Sequence, residues 1–175
     1  MKRIVVVGNG RAGGAFLRQI QRYKCDFTIT VFGGILQQEP SWYQTSGIDL
    51  RHGVRVTAVD RHAQVVTGSD GSRTTYDRLI LAIGRSDLTL PGLMTGHGLI
   101  VNRSFETSDG YIYAIGGCAE IRDAKWAATL DKQARILAAH LAGEIGMELV
   151  EKNDGPKLVV VPKRGPNKAE KAQIA

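Results

Sequence analysis

The sequence has few cysteines, and they are not arranged as a redox or metal motif. Its 175 residues include two cysteines, Cys25 and Cys118, with no Cys-x-x-Cys spacing. This excludes a disulfide scaffold, an internal dithiol and an all-cysteine iron–sulfur site. The four histidines are scattered without metal-ligand spacing, so no metal site is predicted. Isolated thiols are typical of a reducing compartment, and we expect a cytoplasmic protein.

Long apolar runs are also missing. The first apolar run, Ile4–Val7, is too short for a signal peptide or a membrane span, so neither is expected. Hydrophobic residues make up 43% of the chain, which is typical of a globular protein. The length is sufficient for one sizeable core and too short for two full α/β domains.

Aromatic residues are scarce, at 6%, although the chain is basic, with a formal net charge of +6. No basic run is interleaved with aromatic side chains, as single-strand binders require, and this disfavours a nucleic-acid function. Residues 151–175 contain six basic and three acidic residues and so supply half of the net charge. A solvated basic surface is the simpler interpretation of this charge.

The N-terminal segment has the pattern of a strand, a glycine loop, a helix and a second strand. Lys2–Val7 is short, apolar and β-branched, which indicates a buried parallel strand. Beyond the glycine loop, apolar residues recur at helical spacing, at Ala15, Phe16, Ile20 and Tyr23. The segment Phe27–Phe32 is predicted to be the second strand, ended by two glycines.

The loop itself is a Gly-x-Gly-x-x-Gly motif formed by Gly8, Gly10 and Gly13. Gly8 permits a tight turn, Gly10 lets the backbone approach a pyrophosphate, and Gly13 lets the helix pack on the strand. The free N–H groups at the helix start, from Arg11 and Ala12 to Gly14, are expected to bind phosphates. A bare motif is weak, but the flanking strand and helix favour a dinucleotide site over a structural turn.

The rest of the chain continues an α/β pattern. Residues 35–53 are expected to be irregular or to contain a short helix, and residues 54–77 to form an antiparallel meander. Further strands are predicted at Leu79–Ile83, Leu99–Val101 and Tyr111–Ile115, a helix at about 124–141 stopped by Gly143, and an edge strand at Lys157–Val161. We expect one domain over residues 1–150, with a mainly parallel sheet and the meander opposite the glycine-loop helix. Residues 151–175 are expected to be an extension with a frayed end.

The carboxylate that normally holds the adenosine ribose is absent from the end of the second strand. That strand ends in Val31–Ile35, which contains no Asp or Glu, and the nearest acidic residue is Glu39. Three explanations stay open: Glu39 folds back, the backbone and water hold the ribose, or the site has decayed.

Several linked segments resemble the FAD-binding domain of the pyridine nucleotide-disulfide oxidoreductase superfamily, of the nitrite reductase large subunit and rubredoxin reductase type. Lys2–Gly34 resembles the FAD-binding start of these proteins, and Tyr76–Gly84 their YDxLxLATG strand. Thr107–Ala119 resembles their TSDPxIYAxGDCAE strand, and Gln133–Gly143 the helix that follows it. The resemblance covers most of residues 2–143 in order.

The resemblance implies FAD, an FAD-binding Rossmann-like fold and a set of contact residues. The pyrophosphate would lie at Gly10–Gly14 and the adenosine near Gly33, Gly34 and Val56. The middle of the cofactor would lie near Ala82 and Gly84, and the flavin side near Gly117 and Cys118. The positive end of the helix after Cys118 would favour the reduced flavin anion. No catalytic residue is assigned.

Two departures from the family pattern affect function. Only residues 85–106 lie where the family carries an NAD(P)-binding domain, so electrons are expected to pass through a partner protein or a second subunit. Gly117 replaces the acidic residue that would hold the ribityl chain. The sequence therefore favours a minimal flavoprotein that transfers electrons. A homo-oligomer is compatible with this interpretation. The alternative is a non-catalytic nucleotide-binding or scaffold subunit with a degenerate site.

Overall fold

The computed structural model describes residues 1–24, 27–85, 88, 90–121, 129–144 and 148–149. The helices are α1 (Arg11–Ile20), α2 (Pro40–Thr45) and α3 (Leu130–Glu144). The strands are β1 (Lys2–Val7), β2 (Tyr23–Lys24), β3 (Phe27–Gly33), β4 (Ile48–His52), β5 (Val56–Asp60), β6 (Val65–Gly68), β7 (Arg73–Thr75), β8 (Arg78–Leu81), β9 (Met94–Thr95), β10 (Gly98–Ile100), β11 (Ile112–Ala114), β12 (Ala119–Glu120) and β13 (Glu148–Leu149).

The central sheet has five strands in the order β11-β8-β1-β3-β4. All four neighbouring pairs are parallel, with β1 in the middle between β3 and β8. This arrangement brings the carboxyl ends of the strands to one edge, where ligands bind in open α/β sheets. The prediction of a mainly parallel sheet is confirmed.

Alternate residues of β1 divide the interior into two cores. Ile4 and Val6 face the core that contains α1 and α3, which pack against each other. Val5 and Val7 face the opposite core, which contains residues of the meander and of the segment before β11. Because both faces of β1 are covered, the strand is apolar on both sides, as expected for a buried parallel strand.

The meander β5-β6-β7 is antiparallel, as predicted, and packs on the second core. Described residues of the segment between β8 and β11 pack on the same core. Its leucines at 88, 90, 93 and 99 are all buried.

Three expectations were wrong in detail. Residues 35–53 contain α2, as allowed, but also β4, which is a full edge strand of the central sheet. The first helix ends at Ile20, and Tyr23 lies in β2, which pairs with β13. Gly143 does not stop the third helix, which continues to Glu144.

Some calls fall partly or wholly beyond the part of the chain that is described. The predicted start of the third helix near residue 124 lies outside the described residues, as do Cys25 and residues 151–175 with the edge strand Lys157–Val161. The boundary at residue 150 thus stays a prediction. Among the described residues, no helix is both long and apolar enough to cross a membrane.

Candidate functional site

The glycine loop between β1 and α1 is packed so closely that two of its glycines have no room for a side chain. Gly8 has a φ of +99°, and a Cβ at this position would overlap the carbonyl oxygen of Ala82. A Cβ at Gly13 would overlap the carbonyl oxygen of Gly8. Gly10 differs, because nothing lies within 4 Å of the Cβ position. The loop is thus held tightly from below and left open on the side of Gly10.

The N-terminus of α1 is free to bind an anion. Gly10 is the N-cap residue, no side chain caps the helix, and the first turn holds no acidic residue. The first backbone hydrogen bond of the helix runs from the Gly14 N–H to the Gly10 carbonyl, at 2.8 Å. The N–H groups of Arg11, Ala12 and Gly13 precede it and have no partner among the described residues. Helix N-termini with such free donors bind phosphate groups.

Asn9 fixes the loop to the neighbouring strand and helix. Its side-chain Nδ2 donates a 2.7 Å hydrogen bond to the hydroxyl of Tyr43 in α2. A Cβ at Gly33 would lie 2.7 Å from the Asn9 backbone nitrogen, so the loop also rests on the end of β3. Asn9 is buried, with 2% of its surface exposed. Its role is to hold the loop in place below the site.

Two adjoining clefts open at the carboxyl edge of the sheet, and we call them together the groove. The larger has a volume of about 690 Å³ and the smaller about 390 Å³. Both are bordered by Gly8, Gly33, Gly34, Ile35 and Ile83. Each of these volumes lies within the range of small-molecule and cofactor sites.

The structure brings most of the predicted contact residues to this groove. Gly10, Arg11, Ala12, Ala82, Gly84 and Gly117 line the smaller cleft, Val56 lines the larger one, and Gly8, Gly33 and Gly34 line both. Gly13 and Gly14 lie behind the loop instead, where Gly13 meets Gly8 and a Cβ on Gly14 would meet the side chain of Gln37. The contact roles of these residues stay predictions.

Cys118 does not line the groove. It is 4% exposed, and its Sγ lies 3.3 Å from the carbonyl oxygens of both Leu81 and Ile115. Burial raises the pKa of the Cys118 thiol. The residue therefore acts as a packed side chain beneath the site.

The second glycine segment forms a short 3-10 turn at Gly116–Cys118, followed by β12. The predicted start of the following helix, near residue 124, lies outside the described residues, and α3 is described from Leu130 onward. Leu130 lines the smaller cleft, and Gln133 Oε1 accepts a 2.9 Å hydrogen bond from the Gly116 N–H. The start of α3 is therefore fixed beside the groove.

The charged residues of the groove are all basic. Arg11 lines the smaller cleft, and Arg55 and Arg85 line the larger one. Each is exposed, and none forms an ion pair with another described residue. No Asp or Glu occurs among the described lining residues. Sequence reasoning had overlooked Arg55 and Arg85, although Arg55 directly precedes the predicted contact Val56.

The end of β3 confirms that a ribose-binding carboxylate is missing from the described site. The strand ends at Gly33, and Gly34 and Ile35 carry no charge into the groove. Glu39 is the N-cap residue of α2, is exposed and lines neither cleft. The structure therefore gives no support to the explanation that Glu39 folds back.

A second polar cluster lies outside the groove. Ligand atoms of Glu106, His140 and Glu144 lie within 4.8 Å of one another. Glu144 is already engaged, because it accepts hydrogen bonds from Tyr113 at 2.9 Å and from Arg78 at 3.2 Å. Burial, followed by the hydrogen bond to Glu144, raises the pKa of Tyr113. This cluster ties α3 to the edge strand β11.

The comparison with known proteins agrees with this geometry. Residues 37–146, more than half of the chain, match the family described as pyridine nucleotide-disulphide oxidoreductase. The chain belongs to this family. Members of the pyridine nucleotide-disulphide oxidoreductase family bind FAD, and they are flavoprotein oxidoreductases that transfer electrons.

Two of the similar proteins are rubredoxin reductases. The rubredoxin-NAD(+) reductase of Alcanivorax borkumensis is 37% identical over 107 residues, covering 56% of this chain and 28% of that protein. The rubredoxin-NAD(+) reductase of Acinetobacter baylyi is 28% identical over 190 residues, covering 92% of this chain and 48% of that protein. The chain thus spans about a quarter to a half of the length of these relatives.

Two solved structures share the FAD-binding Rossmann-like fold of this chain. Putidaredoxin reductase in its covalent complex with putidaredoxin superposes with a TM-score of 0.71 at 16% identity, covering 89% of this chain and 78% of that chain. The NADH:rubredoxin oxidoreductase of Clostridium acetobutylicum gives 0.67 at 14% identity, covering 93% and 80%. At these identities the likeness establishes the fold.

Proposed function

We propose that this chain binds FAD in the groove and serves as the electron-transfer component of an oxidoreductase, exchanging electrons with a partner protein or a second subunit. The observation that carries the proposal is the uncapped N-terminus of α1, which opens into a groove lined by three arginines that have no ion-pair partner among the described residues. In a chain of this family, that arrangement suits the pyrophosphate of FAD.

The residues present fit the phosphate part of FAD better than its ends. The N–H groups of Arg11, Ala12 and Gly13 can donate to the pyrophosphate, and the open space above Gly10 allows its close approach. The adenosine is proposed to lie beside Gly33, Gly34 and Val56, and the flavin beside Gly84 and Gly117. When bound, FAD supplies the redox chemistry, while the protein supplies binding and orientation.

The need for a partner follows from the segment between β8 and β11. Residues 85–106 are far fewer than the roughly 50 residues of even a small domain. The buried leucines of this segment are used to close the core. We therefore expect electrons to enter or leave through a second protein, as the relatives' names indicate for rubredoxin.

A second candidate is a non-catalytic subunit with a degenerate nucleotide site. The groove has no described carboxylate at either place where the family holds a sugar or the ribityl chain, and this observation favours it. The two candidates differ in whether FAD stays bound at low concentration.

The test is reconstitution of the full chain with FAD. We expect a stoichiometric complex with the visible absorbance of oxidised flavin, stable to gel filtration. Gly10→Ala should weaken FAD binding by about tenfold or more, because the added methyl group occupies the open phosphate side of the loop. The matched control is Gly96→Ala, at another open glycine without a positive φ and outside the groove.

Two results would contradict the proposal. A colourless protein that fails to bind added FAD would remove the flavoprotein function and leave the second candidate. Rapid reduction of the FAD-loaded chain by NADH alone would contradict the requirement for a partner.

A further inference from the structure

We infer that the larger cleft accepts an adenosine nucleotide whose ribose carries a phosphate monoester, and that such nucleotides compete with FAD for the groove. This inference rests on the proposed function only in taking the groove as the nucleotide site. It adds a ligand class that differs from FAD by one phosphate on the ribose.

The first step is the missing carboxylate at the end of β3. A carboxylate there binds the two ribose hydroxyls of an unmodified nucleotide and would repel a phosphate at the same place. The strand end here consists of Gly33, Gly34 and Ile35. It therefore neither binds the ribose hydroxyls through a carboxylate nor repels a phosphate. Among the described residues, the ribose end of the groove therefore has no carboxylate that discriminates against an added phosphate.

The second step is the presence of two unpaired cations in the larger cleft. Arg55 lies immediately before β5, and Arg85 follows β8 after Gly84, so they reach the cleft from different elements. Neither has an ion-pair partner within the described part of the chain. By contrast, Arg3 and Arg78 are held by Asp77 and Glu144. A planar guanidinium can bind two phosphate oxygens at once, so free arginines suit a phosphate monoester.

The third step is the balance of charge along the groove. The positive end of α1 and Arg11 lie at the loop that is proposed to hold the pyrophosphate. The helix end, at about half a charge, and Arg11 together offset about 1.5 of the two negative charges of a dinucleotide pyrophosphate. The positive charges of Arg55 and Arg85 are therefore largely uncompensated within the described lining of the groove. A phosphate monoester brings about 1.5 to 2 further negative charges at neutral pH.

The fourth step is space. Nothing lies within 4 Å of a Cβ placed on Gly34 or on Gly53, which both line the larger cleft. The volume of about 690 Å³ leaves room for an adenosine with an additional group.

The experiment compares ligands that differ by a single phosphate. Calorimetric titration of the full chain would use AMP and the two adenosine bisphosphates that carry the second phosphate on the 2′ or the 3′ hydroxyl. We expect at least one bisphosphate to bind about tenfold or more tightly than AMP and to displace FAD. The preference should shrink as salt is raised, because the arginines are exposed. Equal binding of AMP and both bisphosphates would overturn the inference.

Matched variants locate the effect. Arg55→Ala and Arg85→Ala should each reduce bisphosphate binding by about tenfold and change AMP binding by less than about threefold. Arg73→Ala removes the same charge from an exposed position of β7 outside the groove, and it should change neither. If Arg73→Ala has the same effect as the other two, general attraction explains the preference and the inference is wrong.

A gain-of-function variant gives an independent check. Gly34→Asp restores a carboxylate at the strand end, and the open Cβ position without a positive φ allows the protein to fold normally. It should abolish the preference for a bisphosphate and strengthen binding of unmodified nucleotides. An unchanged preference in this variant would count against the inference.

The outcomes also separate this inference from the proposed function. Bisphosphate binding without any FAD binding would refute the flavoprotein proposal and the competition with FAD, but it would leave standing the preference of the larger cleft for a phosphate-bearing ribose. FAD binding that no bisphosphate can displace would support the flavoprotein proposal and refute the inference.

Discussion

Gly116 lies directly against Ala12: a Cβ built on Gly116 would be 2.7 Å from the Ala12 Cβ. The two residues belong to glycine segments more than 100 positions apart, one at the start of α1 and one after β11. The Gly116 N–H also binds Gln133 of α3, so this contact joins two helices and the sheet edge beside the groove.

Gly116→Ala should therefore lower the free energy of unfolding. Overpacking costs about 1–3 kcal/mol, and the φ of +75° adds roughly 1 kcal/mol of strain for a non-glycine residue. Urea denaturation is the measurement. In the double variant with Ala12→Gly, the stability lost to overpacking should be regained, whereas the stability lost to backbone strain at position 116 should not. A Gly116→Ala protein of unchanged stability would show that this contact is looser than the structure indicates.

Gly117→Asp should strengthen FAD binding. Gly117 lines the groove without a positive φ, and the nearest atom to its Cβ position is Gly84 Cα, at an ordinary 3.8 Å. A restored charged hydrogen bond to the ribityl chain is worth about 1.5–3 kcal/mol, which corresponds to tenfold or more in the dissociation constant. Gly117→Asn is the uncharged control and should give a smaller gain. Weaker binding in the Asp variant would place the flavin elsewhere.

The ion pair between Arg3 and Asp77 should make stability depend on pH in acid. Arg3 Nε and backbone N–H donate to Asp77 Oδ2 at 3.1 and 2.7 Å, and the Arg3 side-chain hydrogen bonding lowers the pKa of Asp77 to about 2. Since folding favours the carboxylate, the stabilisation is present above the ordinary value of 3.8 and is lost as the pH falls towards 2. With the arginine half exposed, we expect about 1 kcal/mol.

Asp77→Asn should thus be less stable than the parent at neutral pH, with the difference disappearing near pH 2. Chemical denaturation at the two pH values measures this. Asp49→Asn is the control, because Asp49 is half exposed and pairs with Arg51 on its own strand. A stability difference that persists unchanged in acid would show that the charge of Asp77 is not the cause.

The thiol of Cys118 should be unreactive in the folded protein. It is buried and its pKa is raised, so little thiolate is available to attack an alkylating reagent. In a Cys25→Ser background, we expect alkylation at neutral pH to be about a hundredfold or more slower in buffer than in denaturing urea. Rapid labelling of the native protein would instead indicate that the segment beneath the groove opens readily.

The sequence predicts those elements whose pattern depends on local chemistry. β1 and β3 are apolar runs bounded by glycine, and both were predicted within a residue of their observed bounds. β4 was missed because it is an edge strand, where Asp49, Arg51 and His52 are exposed and interrupt any apolar run. Its partner β3 determines its conformation, and that contact is not visible in the local sequence.

The same distinction applies to the groove. The glycine loop could be predicted because its spacing reflects a conformation that only glycine adopts without strain. Arg55 and Arg85 could not, because whether an arginine is free or paired depends on what the fold places beside it. The sequence alone does not distinguish Arg55 from Arg3, which has a partner 74 residues away.

The apolar character of β1 on both faces has a consequence for how this chain can vary. A shift of one residue would still place aliphatic side chains in both cores, so polarity alone does not set the register. The register is instead fixed at the two ends, where Arg3 binds Asp77 and Gly8 packs on Ala82. An insertion within β1 must break one of these contacts and displace the glycine loop by about 3.3 Å. We therefore expect this strand to tolerate exchanges among aliphatic residues during evolution and to keep a constant length.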